Sequence, residues 1–214
     1  MFTTVYAVTM PLMRGDVFDL ISSSDSIPKL GKGVVLRGIV RAIAHAHYKN
    51  VAHHDLKPEN VFIAPDGTIL LGDWGYARKY TSASARTSLI RGSPGYAAEE
   101  VYKGDYDPFK ADMWSVGAVF VAILAGMPPI PPMPSTQDAA TSPTMTLWKK
   151  YRSLLKDAGP TGSYTNVLND LYCNGSPQSP LGKLNAFLRN AIDNLLLRIP
   201  DQRMDAAKLL SLIA

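Results

Sequence analysis

A single cysteine, Cys173, leaves this chain without an internal disulfide framework and suits a reducing compartment. Long apolar runs are also missing: the longest, Trp114 to Gly126, falls short of the ~20 residues a spanning helix needs and reads as a buried helix. No basic stretch leads into an apolar core over Met1 to Val8, so no secretory signal is expected there. The expected location is therefore intracellular and cytoplasmic, with the nucleus open. Neither sign of charge is concentrated, and the net charge is only +4. The nearest approach to a cluster, Lys149, Lys150, Arg152 and Lys156, has helical spacing and reads as a solvated face rather than a nucleic-acid site. No internal repeat is visible. What is present is ample apolar material, 46% of 214 residues, enough for one good-sized core.

Hydrophobic spacing predicts the following order. A short strand over Met1–Thr9 is broken by Met10-Pro11-Leu12. A short helix is capped by Asp16 and runs through Ile21, and a loop covers Ser22–Lys32. A helix over Val34–Tyr48 carries Val35, Ile39, Ala42, Ile43 and Ala46 on one face. Val61-Phe62-Ile63 and Ile69-Leu70-Leu71 flank Pro65-Asp66-Gly67, which reads as a hairpin. Arg78–Gly92 is small and polar, as a mobile surface loop would be. Asp112–Ala125 reads as a core helix, apolar on nearly every side. Met127–Pro143 is too rich in proline for a regular helix and reads as an insertion loop. Leu147–Leu155, Leu184–Leu197 and Met204–Ile213 are expected to be helical, with a loop-rich stretch over Gly159–Gly182.

The hairpin matters for chemistry. His53-His54-Asp55-Leu56-Lys57-Pro58-Glu59-Asn60 immediately precedes it, and Asp73-Trp74-Gly75 immediately follows it. Folding back the hairpin brings Asp73 beside Asn60. Each residue alone has a bland reading, since Asp, Asn and Pro are ordinary turn residues. The set in this order and spacing resembles the catalytic and metal-binding loops of the eukaryotic-type protein kinase family. The resemblance implies a catalytic set of Asp55, Lys57, Asn60 and Asp73. Asp55 would be the base toward an acceptor hydroxyl, Lys57 would reach the transferred phosphate, and Asn60 and Asp73 would be magnesium ligands. ATP and Mg2+ are the implied cofactors. The fold implied is mainly α (α+β): the helical large lobe over 13–214, a small hairpin at the cleft, and a residual strand and hinge over 1–12. The Pro-rich insertion spans 127–146.

The likeness extends along most of the chain. Met10 and Leu12 fall at the hinge whose backbone would meet adenine, Thr9 at the gatekeeper, and Asp16 within reach of the ribose. Gly92-Ser93-Pro94-Gly95-Tyr96-Ala97-Ala98-Glu99-Glu100 resembles the segment that docks substrate, with Ser93 bridging the base and Lys57. Glu100 and Arg203 match a structural ion pair. Asp112 matches a helix-start Asp that hydrogen-bonds the catalytic loop, and His53 is structural. Lys57 in Asp-Leu-Lys-Pro-Glu-Asn implies serine/threonine specificity and a protein or peptide substrate.

Four departures stand out. His54 replaces an Arg that binds an activation-loop phosphate, so dependence on phosphorylation at Thr87 or Ser88 is not expected. Trp74 replaces Phe and brings an indole N–H needing a partner, and Glu99 replaces Pro. The Gly-rich loop, strand Lys and helix Glu that precede the hinge in the family are not found, Gly31-Lys32-Gly33 being too short. Two readings stay open at this point: a serine/threonine kinase whose small lobe is missing here or supplied elsewhere, and a catalytically impaired kinase-like module binding a partner protein at its exposed cleft or Pro-rich insertion. A truncated product with an exposed apolar cleft is a third. Neither a nucleic-acid nor a membrane partner is expected.

Overall fold

The computed structural model describes residues 9–22, 30–126, 128–131 and 141–213. The expected strand over Met1–Thr9 lies almost wholly outside them, as does much of the Pro-rich insertion. In chain order the elements are β1 (Gly15–Asp16), α1 (Val17–Ser22), α2 (Lys32–Tyr48), β2 (Val51–Ala52), β3 (Val61–Ile63), β4 (Ile69–Leu71) and β5 (Arg78–Lys79). The helices α3 (Pro108–Ala125), α4 (Pro143–Ala158), α5 (Tyr164–Cys173), α6 (Ala186–Leu195) and α7 (Ala206–Ile213) follow. The fold is thus mainly α with two small sheets, as the sequence implies.

The core is built around α3. Nearly every residue from Pro108 to Ile123 is buried, so the helix has no solvated face and is wrapped by its neighbours. By length and composition alone it would qualify as a membrane span, but 83% of it is buried inside the fold. Close packing of α3 on α6 depends on Gly117, where an added Cβ would lie 2.8 Å from the Leu195 Cβ. Helix α3 also begins earlier than expected. Asp107, not Asp112, is its N-cap, accepting from the Phe109 and Lys110 amides at 2.8 and 3.1 Å, with Pro108 at the first helical position. Asp112 therefore lies inside the helix, free to point its carboxylate elsewhere.

Caps account for the other shifted boundaries. Ser142 accepts from the Met145 amide and starts α4 at Pro143 rather than Leu147. Ser163 caps α5, which occupies the middle of the stretch expected to be loop. Its buried Tyr164, Val167, Leu168 and Leu171 have the 3–4 spacing of a core-facing stripe. Lys150 of the basic α4 face is not merely solvated: its Nζ donates to the Asp170 and Leu171 carbonyls at 2.8 and 3.1 Å, closing the C-terminus of α5.

Two small antiparallel sheets position the cleft. β3 and β4 form the expected hairpin in the register Val61↔Leu71, Phe62↔Leu70 and Ile63↔Ile69, and β1 adds to the other edge of β3. The turn uses Asp66, which accepts from the Thr68 amide at 2.9 Å, and Gly67 at φ 84°. Separately, β2 pairs with β5, joining the start of the catalytic loop to the chain that leaves Asp73-Trp74-Gly75.

Candidate active site

The loop between β2 and β3 is held from beneath by Asp112. The buried carboxylate accepts from the His53 and His54 amides at 2.7 and 2.9 Å and from His47 Nε2 at 3.0 Å. Burial pushes this carboxyl up, but the His47 hydrogen bond and charge, with the His53 amide, outweigh it and hold the group below the usual carboxylate range. His54 adopts φ 68°, a left-handed conformation costly for a side chain with a Cβ, which the two amide bonds to Asp112 help fix.

His53 links this loop to the next. Its Nε2 donates to the Gly72 carbonyl at 2.9 Å, and its Nδ1 accepts from the Asp55 amide at 3.3 Å, a pairing that fits one neutral tautomer. The Gly72 amide in turn donates to the Asn60 carbonyl at 2.9 Å. Asp73, one residue on, is exposed and sits at φ 53°, again left-handed. The Trp74 indole covers His53 at 4.7 Å between ring centres, and its Nε1 donates to the Leu71 carbonyl at 2.9 Å, the partner its N–H requires.

Asp55, Lys57 and Ser93 form a closed triangle. Ser93 Oγ donates to Asp55 Oδ1 at 2.8 Å and accepts from Lys57 Nζ at 3.0 Å, while Lys57 Nζ stands 3.4 Å from Asp55 Oδ2. Asn60 Nδ2 donates to the Asp55 carbonyl at 2.8 Å. That bond fixes the amide orientation and leaves the Asn60 side-chain oxygen as a ligand atom. Asn60 and Asp73 thus supply hard oxygens on adjoining loops, and the donor set fits Mg2+. The cluster can orient a hydroxyl at a carboxylate and set positive charge beside it.

Not every expected site residue joins this cluster. Met10 and Leu12 are 73% and 89% exposed, and Thr9 is exposed as well. Asp16 Oδ1 caps α1 by accepting from the Asp19 amide at 2.8 Å. Glu100 and Arg203 lie apart from the cluster, bonded at 2.6 Å beneath the segment that carries Ser93. Glu99 pairs with Arg198 at 3.6 Å.

Sequence reasoning missed a second triangle, around His54. Tyr106 Oη donates to the Leu89 carbonyl at 2.6 Å, so its lone pairs face His54 Nδ1 at 3.4 Å. Tyr80 Oη then donates to His54 Nε2 at 2.9 Å. The imidazole joins two distant points of the Arg78–Gly92 segment to the catalytic loop. Thr87 and Tyr106 reinforce this with reciprocal backbone bonds at 2.9 Å. The segment is therefore tied down along its length, not free over the whole stretch. Burial, with Arg91, His53 and Arg78 nearby, lowers the His54 pKa despite Asp112, favouring the neutral ring. No fixed spacing ties Tyr80 and Tyr106 to His54, so no motif could have found them.

Comparison with known proteins agrees with this geometry. The protein kinase domain family model matches residues 2–211. The chain is 36% identical over 128 residues to calcium-dependent protein kinase 5 of Plasmodium berghei, covering 58% of this chain and 22% of that protein. It is 35% identical over 126 residues to a probable serine/threonine-protein kinase CHK1 homolog of Encephalitozoon cuniculi, covering 58% and 30%. It is 37% identical over 124 residues to serine/threonine-protein kinase D2 of Rattus norvegicus, covering 56% and 14%. The chain thus spans less than a third of the length of each of these relatives. With the family model running over nearly all of its residues, the chain belongs to the protein kinase domain family.

Proposed function

We propose that this chain transfers the γ-phosphate of ATP to a serine or threonine hydroxyl of a protein or peptide. The observation that carries the reading is the Asp55–Ser93–Lys57 triangle with Asn60 locked to Asp55. Asp55 accepts the proton as the acceptor oxygen turns toward phosphorus, and Ser93 keeps its carboxylate aimed. Lys57 sets an ammonium beside the oxygens that gain charge. Asn60 and Asp73 would hold Mg2+, which when bound neutralises the phosphates. Asp112 and His53 keep these loops in register, and the Glu100–Arg203 pair supports the segment carrying Ser93. Met10, Leu12 and Asp16 are the adenosine-side contacts of the same reading.

The exposure of Met10 and Leu12 favours a second reading, a kinase-like module that binds a partner with little or no transfer. Transfer of label from γ-labelled ATP to a Ser/Thr peptide mixture separates the two. Label above the level of Asp55→Ala and Asp73→Ala controls supports the kinase; wild type equal to both controls supports the module.

A further inference from the structure

Tyr96, Tyr102, Trp148 and Tyr151 gather around a hollow of about 400 Å³ between α4 and the segment that carries Ser93. Tyr102 is exposed, Tyr96 and Trp148 are half-buried and Tyr151 is buried, so the aromatic lining runs from solvent into the fold. The Trp148 and Tyr151 ring centres lie 5.5 Å apart. Among the described lining residues only Glu99 is charged. Its Oε2 stands 3.6 Å from Arg198 Nη2 and 3.9 Å from Lys103 Nζ, and neither cation lines the hollow. Glu99 Oε1 makes no hydrogen bond or ion pair with any described residue. The Ile130 carbonyl oxygen, 3.6 Å from the place a Cβ on Gly95 would take, is a further acceptor on the same wall. Ring faces gathered beside a carboxylate attract a cation and offer an anion nothing.

We propose that this hollow receives an arginine side chain of the substrate peptide. That occupant follows from the kinase reading: Pro94-Gly95-Tyr96 leads from Ser93 of the catalytic triangle straight to the hollow, so a peptide held at Asp55 passes beside it. A guanidinium is planar and weakly hydrated. It can lie on a ring face while its N–H groups reach Glu99 Oε1 and a backbone carbonyl. A lysine ammonium holds its water more tightly and has no flat face to lay on Trp148. An aliphatic side chain would cover the rings but strip water from a carboxylate oxygen left without a donor. Glu99 stands where the family has Pro, so the preference for a cation comes from this chain's own substitution and not from the shared pattern.

The test measures binding without ATP, by anisotropy of labelled Gly/Ala peptides of about twelve residues with one central serine. A single arginine is placed in turn at each other position, and every peptide has twins with neutral citrulline or with glutamate there. Wild type should favour arginine over citrulline by about fivefold (~1 kcal/mol) or more at one or two neighbouring positions on one side of the serine. Glu99→Gln should bind those arginine and citrulline peptides alike, at the level wild type shows for citrulline, which a misfolded variant would not. Trp148→Leu should lose the preference as well. No arginine preference in wild type, none that Glu99→Gln removes, or glutamate favoured at those positions overturns the proposal. An arginine preference without phosphate transfer supports the hollow and refutes the kinase reading; transfer without an arginine preference does the reverse.

Discussion

Arg203→Ala is the substitution whose cost follows most closely from the structure. The guanidinium is wholly buried and pairs with Glu100, whose side chain is 15% exposed. It also donates to the Leu197 carbonyl from Nε and Nη2 at 3.0 and 2.8 Å and to the Lys110 carbonyl at 2.6 Å, and it lies 5.1 Å from the Trp114 ring centre. Truncation strands a mostly buried carboxylate and two carbonyls and opens a hole against the indole. Breaking a buried pair from one side costs about 3–5 kcal/mol. For a chain of this size that lowers Tm by about 6–20 °C. Glu100→Ala should cost less, because the guanidinium keeps its carbonyl acceptors. Glu99→Ala should cost under about 1 kcal/mol, since both members of the Glu99–Arg198 pair are roughly a third exposed and screened by water. Urea titration and thermal melts followed by circular dichroism rank the three. Arg203→Ala within ~1 kcal/mol of wild type, or Glu99→Ala as damaging as Arg203→Ala, would mean that burial of the Arg203–Glu100 pair does not set its worth.

Asp112→Ala should destabilise by about 3 kcal/mol, because the His53 and His54 amides lose their acceptor in a buried site, and Asp112→Asn by less; chemical denaturation checks both. Thr87→Ala/Ser88→Ala should transfer phosphate at the wild-type rate, because His54, Tyr80 and Tyr106 hold the segment without a phosphate; collapse of the double variant would show that a phosphate is needed. His54 has a lowered pKa in the fold, so the unfolded chain binds its proton first as pH falls. Its contribution to stability is full above about pH 6.5 and is lost on going down through the folded value, with a slope of at most ~1.4 kcal/mol per pH unit. Unfolding free energies measured across that window should show the decline, and His54→Gln should flatten it.

The hairpin, the catalytic loop and the Asp112 and Glu100 anchors were legible because each depends on residues at short fixed spacing or on a family pattern. The apolar stripe of α2 and the all-round apolarity of α3 likewise announced themselves. Boundaries were misplaced where a cap overrode periodicity: Asp107-Pro108 and Ser142-Pro143 extend α3 and α4 by about one turn beyond their apolar runs. Helix α5 was hidden by the Gly, Pro and Ser residues that surround it, although its core stripe was there to be read. The His54–Tyr80–Tyr106 contacts had no local signal, since the three residues meet only when the segment folds over the loop. The same holds for Lys150, whose role depends on where α5 ends.

On the proposed reading, Asp55 and Asp73 act on one phosphoryl group within one centre. Single-turnover transfer from γ-labelled ATP by wild type, Asp55→Ala, Asp73→Ala and the double variant tests it most directly. Residues that act as a unit are not additive, so each single change should remove about a thousandfold or more and the double variant should fall no lower than the slower single one. Single variants that transfer at the wild-type rate, or losses that multiply in the double variant, would contradict it.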